Sequence, residues 1–149
     1  MKRVVVVFQA TRKETESQAL AFGLGAVEGG ANIRLRHLSA SAPATLEHQG
    51  YGHIRNEDIE WADLIGLAIE SPKPVNELVV LIEQIKSYQK TAMIFGKSIY
   101  LFGSPTRTQS ISFAEDSLQT AGFSLIGTEV AELSDDPQYL KSVGQKLGS

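Results

Sequence analysis

The sequence predicts an α/β domain in which a parallel sheet is covered by helices on both faces. Apolar runs at Val4 to Phe8, Asp63 to Ile69, Ser98 to Phe102 and Phe123 to Ile126 have strand length and suit strands buried on both sides. Each is followed by a polar loop and a segment with apolar residues at helical spacing, the order of strands joined by helical crossovers. Ligands of such sheets bind where strands end and neighbouring connections part to opposite faces, so the loops after Phe8, Ile69 and Phe102 form the candidate site.

Val4, Val5, Val6, Val7 and Phe8 are β-branched or aromatic without interruption and predict a central strand. After the loop QATRKET a helix is expected from about Thr15 to Glu28. Leu20, Leu24 and Val27 stand at i, i+4 and i+7 as its buried stripe, and Gly29 and Gly30 stop it. The stretch Gly23 to Gly30 has the spacing G-x-G-x-x-x-G and closes a helix rather than opening one, so it is read as helix termination, not as a dinucleotide fingerprint. Asn32 to Leu38 alternates Ile33 and Leu35 with Arg34 and Arg36, a half-solvated strand for the sheet edge.

Ser39 to Arg55 is rich in Ser, Ala, Gly and His without periodicity and is expected as an irregular excursion. Asn56 is expected to cap a short helix to Trp61, with Glu57 and Asp58 beside its dipole. Pro72 and Pro74 open a helix in which Val75, Leu78, Val79, Ile82 and Ile85 repeat at helical spacing. Thr108 can cap the next helix, with Ile111, Ala114, Leu118 and Ala121 on one face and Gly122 at its end. A strand from Phe123 to Val130 follows, and Ser134-Asp135-Asp136-Pro137 opens a last helix with Leu140, Val143 and Leu147 inward. The result is five strands and about five helices.

The 149 residues suit a single domain, 1–149. Net charge is -3, and Lys and Arg are scattered along the chain, so neither nucleic acid nor an anionic membrane is an expected partner. There is no cysteine, and His37, His48 and His53 are dispersed, which leaves no zinc pattern, disulfide framework or thiolate nucleophile. The opening MKRVVVVFQ loses its apolar run at Gln9, too soon for a signal-peptide core or a membrane span, and a cytoplasmic location is expected.

The residue pattern resembles the flavodoxin-like family, and within it the tryptophan-repressor-binding-protein type of quinone oxidoreductases. Flavodoxins carry a first loop of the form T-x-T-G-N-T-E. Here Ala10-Thr11-Arg12-Lys13-Glu14-Thr15-Glu16 occupies that place: Thr15 and Glu16 agree, and Ala10, Arg12, Lys13 and Glu14 depart. Glu60-Trp61-Ala62-Asp63-Leu64-Ile65-Gly66 is similar to the family's approach to its third strand, and Gly103-Ser104-Pro105-Thr106-Arg107-Thr108-Gln109 to its third flavin-contacting loop. The resemblance implies a doubly wound five-stranded parallel sheet in the order 2-1-3-4-5 and FMN as cofactor. It further implies a small-molecule redox substrate such as a quinone, or a redox partner protein, and association as a dimer or tetramer.

The residues offer that cofactor specific chemistry. A loop entering a helix presents backbone N–H groups and a positive dipole end to a phosphate. Thr11 and Thr15 add hydroxyls there, and Arg12 and Lys13 add charge or serve as solvated surface; Glu14 must point away, because a carboxylate near a phosphate repels it by roughly 1 to 4 kcal/mol. Glu70, beside Ser71, can accept a hydrogen bond from a ring N–H or stand in solvent. No aromatic residue occurs in Glu70 to Pro74 or Gly103 to Gln109. Stacking therefore falls to Pro72, Pro105, Arg107 or Tyr51, and the prolines can equally only rigidify turns. Trp61 is expected to pack in the core. His48, Tyr51 and His53 can hydrogen-bond a quinone or simply line the excursion.

Other classes lack their residues. A response-regulator receiver needs an acidic pair, an aspartate and a lysine where Gln9-Ala10, Glu70 and a lysine-free stretch from Phe123 to Leu133 stand. No P-loop string follows a strand, and Ser104, Thr106 and Thr108 have no histidine and carboxylate at a triad spacing. The alternative to a flavin protein is a module of the same fold whose altered loops have lost FMN and which acts through binding or protein contacts.

Overall fold

The computed structural model describes residues 2–8, 13–38, 52–70, 73, 76–89, 98–103, 109–126 and 136–149. Strand and helix alternate: β1 (Arg3–Phe8), α1 (Lys13–Glu28), β2 (Asn32–His37), α2 (Asn56–Trp61), β3 (Leu64–Ala68), α3 (Asn76–Gln89), β4 (Ser98–Phe102), α4 (Gln109–Thr120), β5 (Ser124–Ile126) and α5 (Pro137–Gly148). All pairings are parallel, with four strands of five or six residues in the order β2-β1-β3-β4 and the short β5 added beside β4. The rest of the expected last strand, to Val130, lies outside the described residues, as do Val75 and Thr108.

Alternation along the strands divides the core in two. Val5, Val7, Ile65, Leu67, Ile99 and Leu101 point to one face, where Ile59 of α2, Leu78, Leu81, Ile82 and Ile85 of α3, and Ile111, Ala114 and Leu118 of α4 cover them. Val4, Val6, Phe8, Leu64, Ala68, Tyr100 and Phe102 point to the other, under α1 and α5. β1 sits between β2 and β3, which is why its five residues from Val4 to Phe8 are all buried and can all be apolar.

The first helix departs from its expected register. It starts at Lys13 rather than Thr15, and its core residues are Ala19, Phe22 and Ala26, while Leu24 and Val27 are 50% and 47% exposed. The cause is the contact with α5. A Cβ on Gly25 would strike the Lys141 carbonyl oxygen, one on Gly29 that of Gln145, one on Gly144 that of Phe22, and one on Gly148 would lie 2.6 Å from that of Ala26. Numbers rise together on both helices, so they run parallel with bare backbone facing bare backbone. Turning α1 to present its glycines to α5 brings Phe22 onto the sheet, where Gly66 leaves room: a Cβ there would lie 2.8 Å from the Phe22 ring. Phe22 stacks with Tyr100 and Phe102 at centroid distances of 5.4 and 5.0 Å. The reading of Gly29 and Gly30 as a stop holds for Gly30, whose φ of 103° is the left-handed conformation of a helix end. Gly25 and Gly29 serve the interface.

Two further expectations are corrected. Arg55, not Asn56, precedes α2, and the N-terminal turn is closed reciprocally: the Asp58 N–H donates to the Arg55 carbonyl and the Arg55 N–H to Asp58 Oδ2, both at 3.0 Å. The end of the supposed irregular excursion is also ordered, because Gly52 to Ile54 runs beside β2 through a parallel bridge between His37 and His53. Residues 39–51 lie outside the described residues. At α5 the expectation holds, with Asp136 accepting from the Gln138 N–H at 3.1 Å and Pro137 as the first helical residue.

Two outcomes check this packing by urea denaturation. Phe22→Ala should cost about 3–5 kcal/mol as a large-to-small core change, whereas Leu24→Ala should stay within about 0.5 kcal/mol as a surface change; the reverse order would restore the helical stripe read from the sequence. Gly144→Ala should destabilise by about 1–3 kcal/mol through overpacking, although alanine is intrinsically the better helix former by about 1 kcal/mol.

Candidate functional site

The carboxyl ends of β1, β3 and β4 lie side by side, with Phe8 opposite Ala68 and Ala68 opposite Phe102. From here α1 leaves to one face of the sheet, whereas α3 and α4 leave to the other. Connections that part in this way open a crevice at the strand ends, the switch point of a doubly wound sheet.

Local chemistry tightens the exit of β4 onto that of β3. The Ile69 N–H donates to the Phe102 carbonyl at 2.8 Å. Gly103 then turns with φ at 107°, and a Cβ on it would lie 2.8 Å from the Ile69 carbonyl oxygen and 3.4 Å from Gln18 Oε1. A glycine is required here, because both the left-handed φ and the close backbone exclude a side chain. Gln18 belongs to α1, so this one residue brings β3, β4 and the first helix to a common point.

The first turn of α1 supplies the other wall. Its backbone N–H groups have no partners within the helix, and the dipole places partial positive charge there. Thr15 is 4% exposed and Glu16 is 2% exposed, while Glu14 is solvent-exposed as a phosphate seat requires. Glu70 is half-buried with its Oε2 atom shielded, which favours a bonded role over free solvation. Ser110, in the first turn of α4, holds its Oγ buried with no hydrogen-bond partner among the described residues.

Of the residues expected at the site, the structure brings Thr15, Glu70 and Gly103 to this end of the sheet, and Lys13 enters as the first residue of α1 instead of a loop residue. Thr11, Arg12, Ser71, Ser104, Pro105, Thr106, Arg107 and Thr108 lie outside the described residues, as do His48, Tyr51 and Pro72. Trp61 packs against the core of the α2, α3 and α4 face. Sequence reasoning missed Gln18 and Ser110. Gln18 is detectable only as the residue one helical turn beyond Thr15; Ser110 carries no sequence signal.

No family model matches the sequence, and no curated protein matches it. Solved structures do match. A flavodoxin from the domain Archaea superposes with a TM-score of 0.71 at 16% identity, covering 98% of this chain and 96% of that one. The flavodoxin of Megasphaera elsdenii gives 0.66 at 15%, covering 96% and 98%. The fold is flavodoxin-like. A WrbA-like flavodoxin protein from Agrobacterium tumefaciens gives 0.64 at 14%, covering 99% and 96%. The narrower kinship with the tryptophan-repressor-binding-protein type thus has no more support than kinship with flavodoxins at large. In this flavodoxin-like fold the crevice beside Gly103 and the first turn of α1 is set by topology, and its chemistry by the loops.

Gly103→Ala should lower stability by roughly 1–3 kcal/mol, from a strained positive φ and crowding of the Ile69 backbone. Urea midpoints of the two proteins measure it, and an unchanged midpoint would show that the β4 exit follows another path.

Proposed function

We propose that this chain is an FMN-binding redox protein that exchanges electrons with a partner protein or reduces a quinone-like acceptor. One observation carries the reading: at the switch point of a flavodoxin-like sheet, α1 opens toward the crevice with Thr15 in its first turn and Glu14 turned to solvent. The residues fit the cofactor's phosphate, which needs several N–H donors and the positive end of a helix. They also fit a ring lying close to backbone, because Gly103 removes the side chain that would stand at the β4 exit.

Thr11, Arg12, Lys13 and Thr15 would hold the phosphate, and Glu70, Ser71 and the segment Gly103 to Thr108 would flank the ring. FMN supplies hydride and single-electron chemistry when bound. The chain's part is to bind, orient and shield it. Arg12 and Lys13 add positive charge to a seat otherwise made of backbone N–H groups, and Glu70 offers a carboxylate acceptor at the ring edge. A nicotinamide donor, a dimer or tetramer, and a cytoplasmic location belong to the same proposal. Among the described residues no helix is long and apolar enough to cross a membrane.

A second reading has its own observation. Ala10, Arg12, Lys13 and Glu14 depart from the flavodoxin loop and no aromatic residue stands in Glu70 to Pro74 or Gly103 to Gln109, which favours a module without flavin that acts by contact. Titration of FMN with the purified chain separates the two. Quenching of flavin fluorescence at micromolar FMN is expected, with affinity lowered about tenfold by Arg12→Ala and by Thr15→Ala, the loss of one charge-assisted hydrogen bond each. Absence of quenching would leave the contact module.

A further inference from the structure

Away from the crevice, on the α2 side of the edge strand, an open cavity of about 460 Å³ is lined by Arg34, Arg36, Gly52, His53, Arg55, Glu57 and Asp58. Three of the chain's six arginines meet here. Arg55 stands nineteen residues beyond Arg36 in sequence, and the fold brings it to the other two. Arg34 and Arg36 share one face of β2 by strand alternation, and Arg55 precedes α2, whose Asp58 reaches both.

Asp58 organises the group. It is 1% exposed, and its two oxygens accept from Arg34 Nη1 and from Arg36 Nε, each at 3.1 Å. Arg36 also donates to the Leu35 carbonyl at 2.9 Å. The Arg34 guanidinium carbon lies over the Trp61 ring, 4.2 Å from its centroid, so the fork is held by a carboxylate on one side and an aromatic ring on another. Among the described residues Arg34 spends one of its N–H groups on Asp58. Arg55 reaches Glu57 only at 3.9 Å, with its side chain 74% exposed. Held by Asp58 and Trp61, Arg34 lines the cavity together with Arg55.

Neutralising Asp58 alone would take a single arginine. Three arginines against Asp58 and Glu57 leave one net positive charge, in a chain whose total is -3. A carboxylate is satisfied by one guanidinium fork, whereas donors arriving from two elements match the several oxygens of a phosphate. We propose that this cavity binds a small phosphate-bearing anion, held by Arg34 and Arg55 and positioned by Asp58 and Arg36. The site is separate from the crevice and does not depend on flavin binding.

Trp61 is the only tryptophan, and its contact with Arg34 makes it the reporter. The full chain is titrated with inorganic phosphate, adenosine 5′-monophosphate and citrate at constant ionic strength, so that screening does not change. A saturable change in Trp61 emission with phosphate is expected, weakened about tenfold by Arg55→Gln. That exposed side chain can be removed without disturbing the Asp58 network. Thr15→Ala, in the crevice, should leave the response unaltered. Tighter binding of the nucleotide than of inorganic phosphate would assign the site to a phosphate monoester, and equal binding to the free ion. A response matched by chloride, a preference for citrate, or full affinity in Arg55→Gln would overturn the inference. Loss of FMN binding with the Trp61 response intact would remove the flavin reading alone.

Discussion

The direct backbone contact between α1 and α5 is the constraint on which the rest of the molecule depends. Four glycines, Gly25, Gly29, Gly144 and Gly148, occupy positions where any Cβ would meet the opposite helix. Their spacing of four residues in each segment keeps one line of approach over about one turn. This contact fixes the rotation of α1 about its axis. Once it is fixed, Thr15, Ala19, Phe22 and Ala26 form the buried stripe, and Leu24 and Val27 are left outside. The first turn of the helix is therefore positioned by glycines nine residues or more away. The surface ion pair between Lys141 and Glu28, at 3.4 Å, lies along the same contact and, being exposed, contributes little.

The strands were legible in the sequence because a strand buried on both faces leaves an uninterrupted apolar run, and Val4 to Phe8 is one. The helices of the other face were legible for a related reason: Leu78, Ile82 and Ile85 in α3, and Ile111, Ala114 and Leu118 in α4, are both apolar and buried. The register of α1 was not. Counting apolar side chains selects Leu24 and Val27, while the real contact is made by missing side chains, and a glycine in a helix reads as a weak point or an end. Gly66 escaped notice in the same way, since its role is visible only with Phe22 above it.

The site was legible in outline. Strand ends and the direction of crossovers follow from element order, so the placement of Thr15, Glu70 and Gly103 at this end of the sheet could be read from the sequence. Gln18 and the cluster around Asp58 were not, because each depends on residues distant in sequence meeting in space. Arg34 and Arg36 were recognised as the polar face of an edge strand, but their partner stands more than twenty residues later. The cluster also blunts the sheet edge. Charged side chains that are held in place, together with the bridge from His37 to His53 along the outer side of β2, leave less open backbone for another strand to join.

The two faces of the sheet constrain the crevice differently. On the α1 and α5 side, helix backbones touch, so a shift of α1 moves α5 with it, and no side-chain rearrangement can absorb the change. On the opposite side, α3 and α4 rest on the sheet through leucine and isoleucine, whose rotamers can repack around modest changes in volume. The position of Thr15 and of the α1 N-terminus is thus set by backbone contact with α5, and the positions of α3 and α4 by side-chain packing. Among the described residues at the exits of β3 and β4, Gly103 is a position that the backbone itself prescribes, so it anchors this end of the crevice whatever side chains surround it.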